Sequence, residues 1–250
     1  MRIRVITPIT TAGFTEGADF EPLARGDTEI SQTNLTRGPA SIESEFEEAL
    51  AVPDTVAKIA EAEREGVDAV VIDCMGDPGL EPAREVVEIP VLGAAQSSMH
   101  LAAMLAHNFS VVTVLDRLGP LFENTAKVYG LESKLCSVRS VNIPVLDLEE
   151  DQERLVDALA DESVKAVEED GAHAIVFGCT GMKGCAAGLK AALEVRGYAG
   201  IPVIDPVVAA FKLAEAVSDL GLTHSKRTYP TPPPKAIVGY DFAVREPVPS

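Results

Sequence analysis

The sequence predicts an α/β protein made of two related lobes, each built on a parallel sheet, that face one another across a cleft. Two observations carry this. Short β-branched runs at 3–7, 69–73, 90–92, 110–115, 138–143, 174–177 and 201–204 alternate with longer helical patterns, as βα units do. The chain also repeats itself. Gly66-Val67-Asp68-Ala69-Val70-Val71-Ile72-Asp73-Cys74-Met75-Gly76 aligns without a gap on Gly171-Ala172-His173-Ala174-Ile175-Val176-Phe177-Gly178-Cys179-Thr180-Gly181, and cysteine falls on cysteine. Within it, Val70-Val71-Ile72 and Ile175-Val176-Phe177 are apolar on consecutive residues, which predicts strands covered by helices on both faces.

Taken in order, the first strand (3–7) ends in a polar loop and corresponds to 111–115 in the second half. Ser41, Ser44 and Glu45 predict a helix near 41–50, and Pro53 opens another that Gly66 stops. Ile89-Pro90-Val91-Leu92, followed by a helix carrying Met99-His100-Leu101-Ala102, matches Ile201-Pro202-Val203-Ile204, followed by Phe211-Lys212-Leu213-Ala214. A long amphipathic helix fills 149–171. The pattern divides the chain into a first lobe of residues 1–94 plus 206–250 and a second lobe of residues 95–205. Residues 222–250, with Pro232-Pro233-Pro234, read as a tail packed over one lobe with a disordered end.

Composition narrows the function. The chain has 250 residues, 46% hydrophobic and 24% charged, with a formal net charge of −18 and no basic cluster. Nucleic acid and anionic membranes are excluded as partners, because phosphate binding needs a concentrated positive surface. No apolar run reaches the roughly 18 residues of a membrane span, and no signal-peptide core follows Met1, so a cytoplasmic protein is expected. The four cysteines form no Cys-x-x-Cys pair and the four histidines are scattered, which predicts neither a disulfide framework nor a metal site. No phosphate-cradling glycine pattern is present, and no cofactor is expected.

In open α/β sheets ligands bind outside the carboxyl ends of the strands, where both repeated cysteines fall. The Gly-containing turn after each cysteine leads into a helix, whose N-terminus is expected to stabilise a thiolate and a developing enolate oxygen. Two such sulfurs facing one cleft suit proton removal on one face of a carbon and delivery on the other. A lone buried cysteine is ordinarily a core residue; duplication at equivalent strand ends points instead to chemistry. Cys136 and Cys185 have no counterparts and read as structural. Asp73 and Asp77 flank the first cysteine, with Asp77 read as a cap. His100 and His107, seven apart on one helix face, read as surface or packing residues. Arg117 either reaches the cleft or is solvated.

Gly38-Pro39-Ala40-Ser41-Ile42-Glu43-Ser44, Cys74-Met75-Gly76-Asp77-Pro78-Gly79-Leu80, Gly178-Cys179-Thr180-Gly181-Met182 and Val207-Val208-Ala209-Ala210-Phe211-Lys212-Leu213-Ala214 resemble the hydantoin racemase family of the aspartate/glutamate racemase superfamily, nearly throughout the chain to about residue 240. The resemblance implies two pseudo-symmetric Rossmann-like (flavodoxin-like) lobes and a cofactor-independent racemase, working on 5-monosubstituted hydantoins such as allantoin by proton transfer at C5 between Cys74 and Cys179. Superfamily members acting on amino acids carry Cys-Asn-Thr and Cys-Thr-His, where this chain has Cys74-Met75-Gly76 and Cys179-Thr180-Gly181, a change that favours a neutral cyclic amide. Backbone N–H groups of Met75, Gly76, Thr180 and Gly181 are expected to hold the enolate oxygens, with Pro8, Ile9, Thr10 and Thr113 as walls. The chain departs from the family where Thr7-Pro8-Ile9-Thr10 replaces Asn-Pro-Asn, and where Gln96 replaces an acid. A homo-oligomer is expected. The alternatives are another superfamily activity (amino-acid racemase, arylmalonate decarboxylase or maleate isomerase) or a non-enzymatic sensor of a small amide.

Overall fold

Strand β1 (Arg2–Thr7) opens the chain and leads through the short helix α1 (Gly17–Phe20) to β2 (Glu29–Asn34). Helix α2 (Glu45–Arg64), strand β3 (Ala69–Ile72), helix α3 (Leu80–Val86) and strand β4 (Val91–Gly93) complete the first sheet. Helix α4 (Ala94–Leu105) crosses to β5 (Phe109–Thr113), α5 (Gly119–Val128), β6 (Leu135–Ser140), α6 (Gln152–Glu168), β7 (Ile175–Phe177), α7 (Cys185–Val195) and β8 (Val203–Ile204), and α8 (Pro206–Asp219) follows. The structure, a computed structural model, describes residues 1–239.

Both sheets are wholly parallel and share one strand order, β2-β1-β3-β4 and β6-β5-β7-β8. The internal repeat is thus a repeat of topology. Ile6 pairs with Ile72 and Val112 with Phe177, so Ile3 to Thr7 correspond to 109–113 and not to 111–115. A slip of two residues leaves every side chain on its own face, so the apolar pattern alone could not detect it.

The faces follow from strand alternation. Ile3, Val5, Ala69 and Val71 pack against Val207, Ala210, Phe211 and Ala214 of α8. Ile6, Val70 and Ile72 turn the other way, onto Ile59 of α2 and Leu80 and Ala83 of α3. Helix α8 therefore leaves the second sheet and covers the first. Helix α4 does the reverse, burying Ala95 and Met99 with Val111, Val112 and Phe177, and the two crossing helices pack on each other.

Three local expectations change. α2 is one helix capped by Ser44, whose hydroxyl accepts from the Glu47 N–H, and it runs straight through Pro53. Ala49, whose carbonyl loses its partner to that proline, is exposed to water, while Ala51, Thr55, Val56 and Ile59 hold the helix on the sheet. β2 was not legible because Glu29-Ile30-Ser31-Gln32-Thr33-Asn34 is a half-exposed edge strand with one apolar residue. His107 lies beyond the end of α4, beside His173, so it shares no helix face with His100.

The start of the tail packs on the first lobe. Val91 donates its N–H to His224 Nε2 at 2.8 Å, and Lys226 Nζ donates to the carbonyls of Arg84 (2.9 Å) and Val87 (2.7 Å) at the end of α3. The expected disordered end falls largely at 240–250, outside the described residues. Among the described residues no helix is long and apolar enough to cross a membrane.

Candidate active site

One residue past β3, Asp73 donates its N–H to the Ile6 carbonyl at 2.8 Å; one residue past β7, Gly178 donates to the Val112 carbonyl at 2.8 Å. These matched bonds extend each sheet by one step, so Cys74 and Cys179 leave their sheets at equivalent points. Each sulfur then accepts the N–H of the second residue beyond it, Gly76 at 3.5 Å and Gly181 at 3.4 Å. Both cysteines line one cleft between the lobes. Phe14, Ile42, Val114, Leu118, Leu121, Phe122 and Val145 make its walls mostly apolar.

A family model described as Asp/Glu/hydantoin racemase matches residues 3–214. The chain belongs to the Asp/Glu/hydantoin racemase family. It is 46% identical over 242 residues to a hydantoin racemase of Pseudomonas sp. (strain NS671), covering 96% of this chain and 95% of that protein. It is 42% identical to a hydantoin racemase of Rhizobium meliloti, covering 96% and 98%. The solved allantoin racemase from Klebsiella pneumoniae superposes with a TM-score of 0.88 at 38% identity, covering 96% of each chain.

Within this racemase-family cleft the sequence-predicted residues divide. Pro8, Ile9, Met75, Gly76 and Thr180 line it beside the two cysteines. Thr10 turns away, its N–H and hydroxyl both donating to the Pro39 carbonyl. Thr113 lies fully buried beneath the floor, donating Oγ1 to the Gly178 carbonyl at 3.2 Å. Gly181 serves Cys179 through its N–H, and a Cβ there would lie 2.7 Å from the Phe14 ring. Arg117 is exposed, and its neighbour Leu118 faces the cleft. Gln96 stands in the first turn of α4 and accepts from Arg84 at 2.7 Å. Cys136 donates to the Phe109 carbonyl, and Cys185 is buried at the start of α7.

Asp77 is a cap, but of α4: its carboxylate accepts the N–H groups of Ala95 (2.9 Å) and Gln96 (2.8 Å) and the Tyr129 hydroxyl (2.6 Å). Asp73 lines the cleft and does more than flank Cys74. Its carboxylate accepts from Thr7 Oγ1 at 3.0 Å, and its carbonyl accepts from Thr180 Oγ1, which reaches across from the second lobe at 3.2 Å. Glu48, from the first turn of α2, was missed, because a glutamate among Glu45, Glu47 and Glu48 looks like a solvated helix start. Phe14 sits before α1 and Val145 in a turn after β6, where no periodicity marks a wall.

The thiols themselves overturn one expectation. Neither sulfur sits at an α-helix N-terminus, since α3 starts at Leu80 and α7 at Cys185; Cys179 caps only the single 3-10 turn Thr180–Met182, and Cys74 caps no helix. The Gly76 N–H at Cys74 and the Gly181 and Met182 N–H groups at Cys179 favour the thiolate, and burial outweighs them. Burial, reinforced by Glu48, Cys179 and Asp77, pushes the Cys74 thiol well above its ordinary value, and burial with Asp73 and Glu43 nearby pushes Cys179 up to about 12. Both rest as neutral thiols. Burial also raises Asp73, and burial with Asp77 and Glu45 nearby pushes Glu48 up to about 7. Among the described residues no Lys, Arg or His lines the cleft, and no three His, Cys, Asp or Glu side chains converge as metal ligands.

Proposed function

We propose that the protein is a cofactor-independent racemase of 5-monosubstituted hydantoins, with allantoin in its range, and that Cys74 and Cys179 exchange protons with C5 from opposite faces. The observation that carries this reading is the pairing of one cysteine from each repeat, at equivalent strand ends, in one small cleft. Relatives named hydantoin racemase and allantoin racemase support the reaction. Lining carboxyls without a lining cation favour a neutral ring over an amino acid or a malonate, whose carboxylates would meet Glu48 and Asp73 unpaired.

In one direction a thiolate takes the C5 proton, and the electron pair of the broken C–H bond moves into the C4 carbonyl. The opposite thiol then gives its proton to the other face of C5, becoming the thiolate, and the reverse reaction exchanges the roles. The N–H groups of Met75 and Thr180, in the turns beside the two sulfurs, stabilise the enolate oxygens as charge develops in this reading, those of Gly76 and Gly181 being held by the sulfurs. One thiol must ionise first, so kcat/KM should rise with pH from 7 towards 9.

The units of this machine are residues 1–94 plus 206–250 and residues 95–205, with a homo-oligomer in the cytoplasm as part of the same proposal. The test is polarimetry on single enantiomers of allantoin and of methyl-, isopropyl- and benzyl-hydantoin. Loss of rotation without mass change supports the reading. Loss of carbon dioxide from an arylmalonate, with hydantoins untouched, would replace it.

A further inference from the structure

Glu48 differs from every other acid near the cysteines. Asp73 accepts from Thr7, and Asp77 accepts from Tyr129, Ala95 and Gln96. Among the described residues nothing donates a hydrogen bond to the Glu48 carboxyl, although it lines the cleft and is partly buried. Its position is tightly defined. A Cβ on Gly76 would lie 2.5 Å from Glu48 Oε2, so the carboxyl rests directly on the glycine whose N–H points at Cys74. Carboxyl, bare Cα and sulfur are thus stacked on one side of the cleft.

A partly buried carboxylate without a donor is costly, and an incoming group that supplies one is recognised by that deficit. A hydantoin ring offers two N–H groups next to its carbonyls. We infer that Glu48 is the substrate-binding carboxylate of the cleft, accepting one ring N–H and thereby fixing which face of C5 meets Cys74. This rests on the hydantoin reading and adds to it a requirement for an unsubstituted ring nitrogen. The charged and titratable groups around Glu48 are Glu45 on its own helix and Asp77 and Cys74 on the loop after β3, and burial, then Asp77 and Glu45, bring its titration near neutrality. Because the ionised form is the acceptor, binding weakens as pH falls below about 7.

The experiment measures binding of 5,5-dimethylhydantoin, which has no C5 proton to lose, and of its N1-methyl and N3-methyl forms, to wild type, Glu48→Ala and Glu48→Gln. Wild type should bind the parent about 10- to 100-fold more tightly than one of the two methylated rings, the range for a hydrogen bond to an ionised group. Glu48→Ala should bind the parent and that methylated ring equally weakly, and Glu48→Gln should lose the pH dependence near 7. Circular dichroism matching wild type confirms that both variants fold. Unchanged affinity in Glu48→Ala, or a methyl penalty that persists in full there, would overturn the inference. Wild type that binds these rings but leaves 5-monosubstituted hydantoins optically unchanged would instead overturn the racemase reading.

Discussion

At the end of β3 the chain reads Asp73-Cys74-Met75-Gly76, and at the end of β7 it reads Gly178-Cys179-Thr180-Gly181. In both turns the sulfur accepts the N–H of the second residue beyond it, and Cys179 gains that of Met182 as well. Their surroundings differ. Thr7 and Thr113 occupy equivalent strand ends, yet Thr7 donates to the Asp73 carboxylate while Thr113 donates to the bare backbone of Gly178. At the crossing helices the asymmetry recurs. Asp205 caps α8 from within its own segment, whereas α4 follows Gly93, where a side chain would collide with the Asp77 carboxylate reaching over from the Cys74 turn. Charge is concentrated in the first half-site, and the second supplies mainly shape. Duplication therefore preserved the geometry needed to place two sulfurs, while the polar groups around them diverged.

The strongest way to break this comparison is to remove one sulfur at a time. Cys74→Ala and Cys179→Ala should each lose about 10²–10⁴ in kcat/KM in both directions, the scale of a general acid–base group. A variant that keeps wild-type turnover would show that the half-sites are not partners.

The caps come next. Burial pushes Asp205 up to about 6 from an unfolded value near 3.8. The native state thus holds a proton that the unfolded chain has released, and stability falls as pH rises through that window. Relative to Asp205→Asn, wild type should lose on the order of 3 kcal/mol between pH 4 and pH 7 in urea melts. A flat difference would mean that the cap is already charged at pH 4.

The glycines probe packing beneath the sulfurs. A Cβ on Gly178 would lie 2.5 Å from Thr113 Cβ and 2.7 Å from its Cα, so Gly178→Ala should cost about 1–3 kcal/mol as overpacking. Gly76→Ala meets only the end of the Glu48 side chain, which can swing aside, and should cost less in the same melts.

The parts legible in the sequence were those with a period or a repeat. Consecutive apolar residues marked β3 and β7, and the aligned cysteines marked the cleft. What escaped depends on contacts between distant segments. Asp77 looked like the start of α3 and caps α4 because the chain folds back 18 residues later. Glu48 looked solvated because nothing local shows that Gly76 will lie against it. Thiol ionisation was misread for the same reason, since a helix start is visible in sequence and the desolvation of a closed cleft is not.

Isotope exchange tests the central claim, one cysteine per face, most directly. Cys74→Ala and Cys179→Ala are each incubated in D₂O with each enantiomer separately. The remaining thiolate can take the proton only from the enantiomer whose C5–H points at it, and after exchange with solvent it returns deuterium to the same face. Each variant should therefore deuterate one enantiomer without inverting it, and the two variants should choose opposite enantiomers. Deuterium entering both enantiomers equally in either variant would contradict the account, because a single group would then be serving both faces.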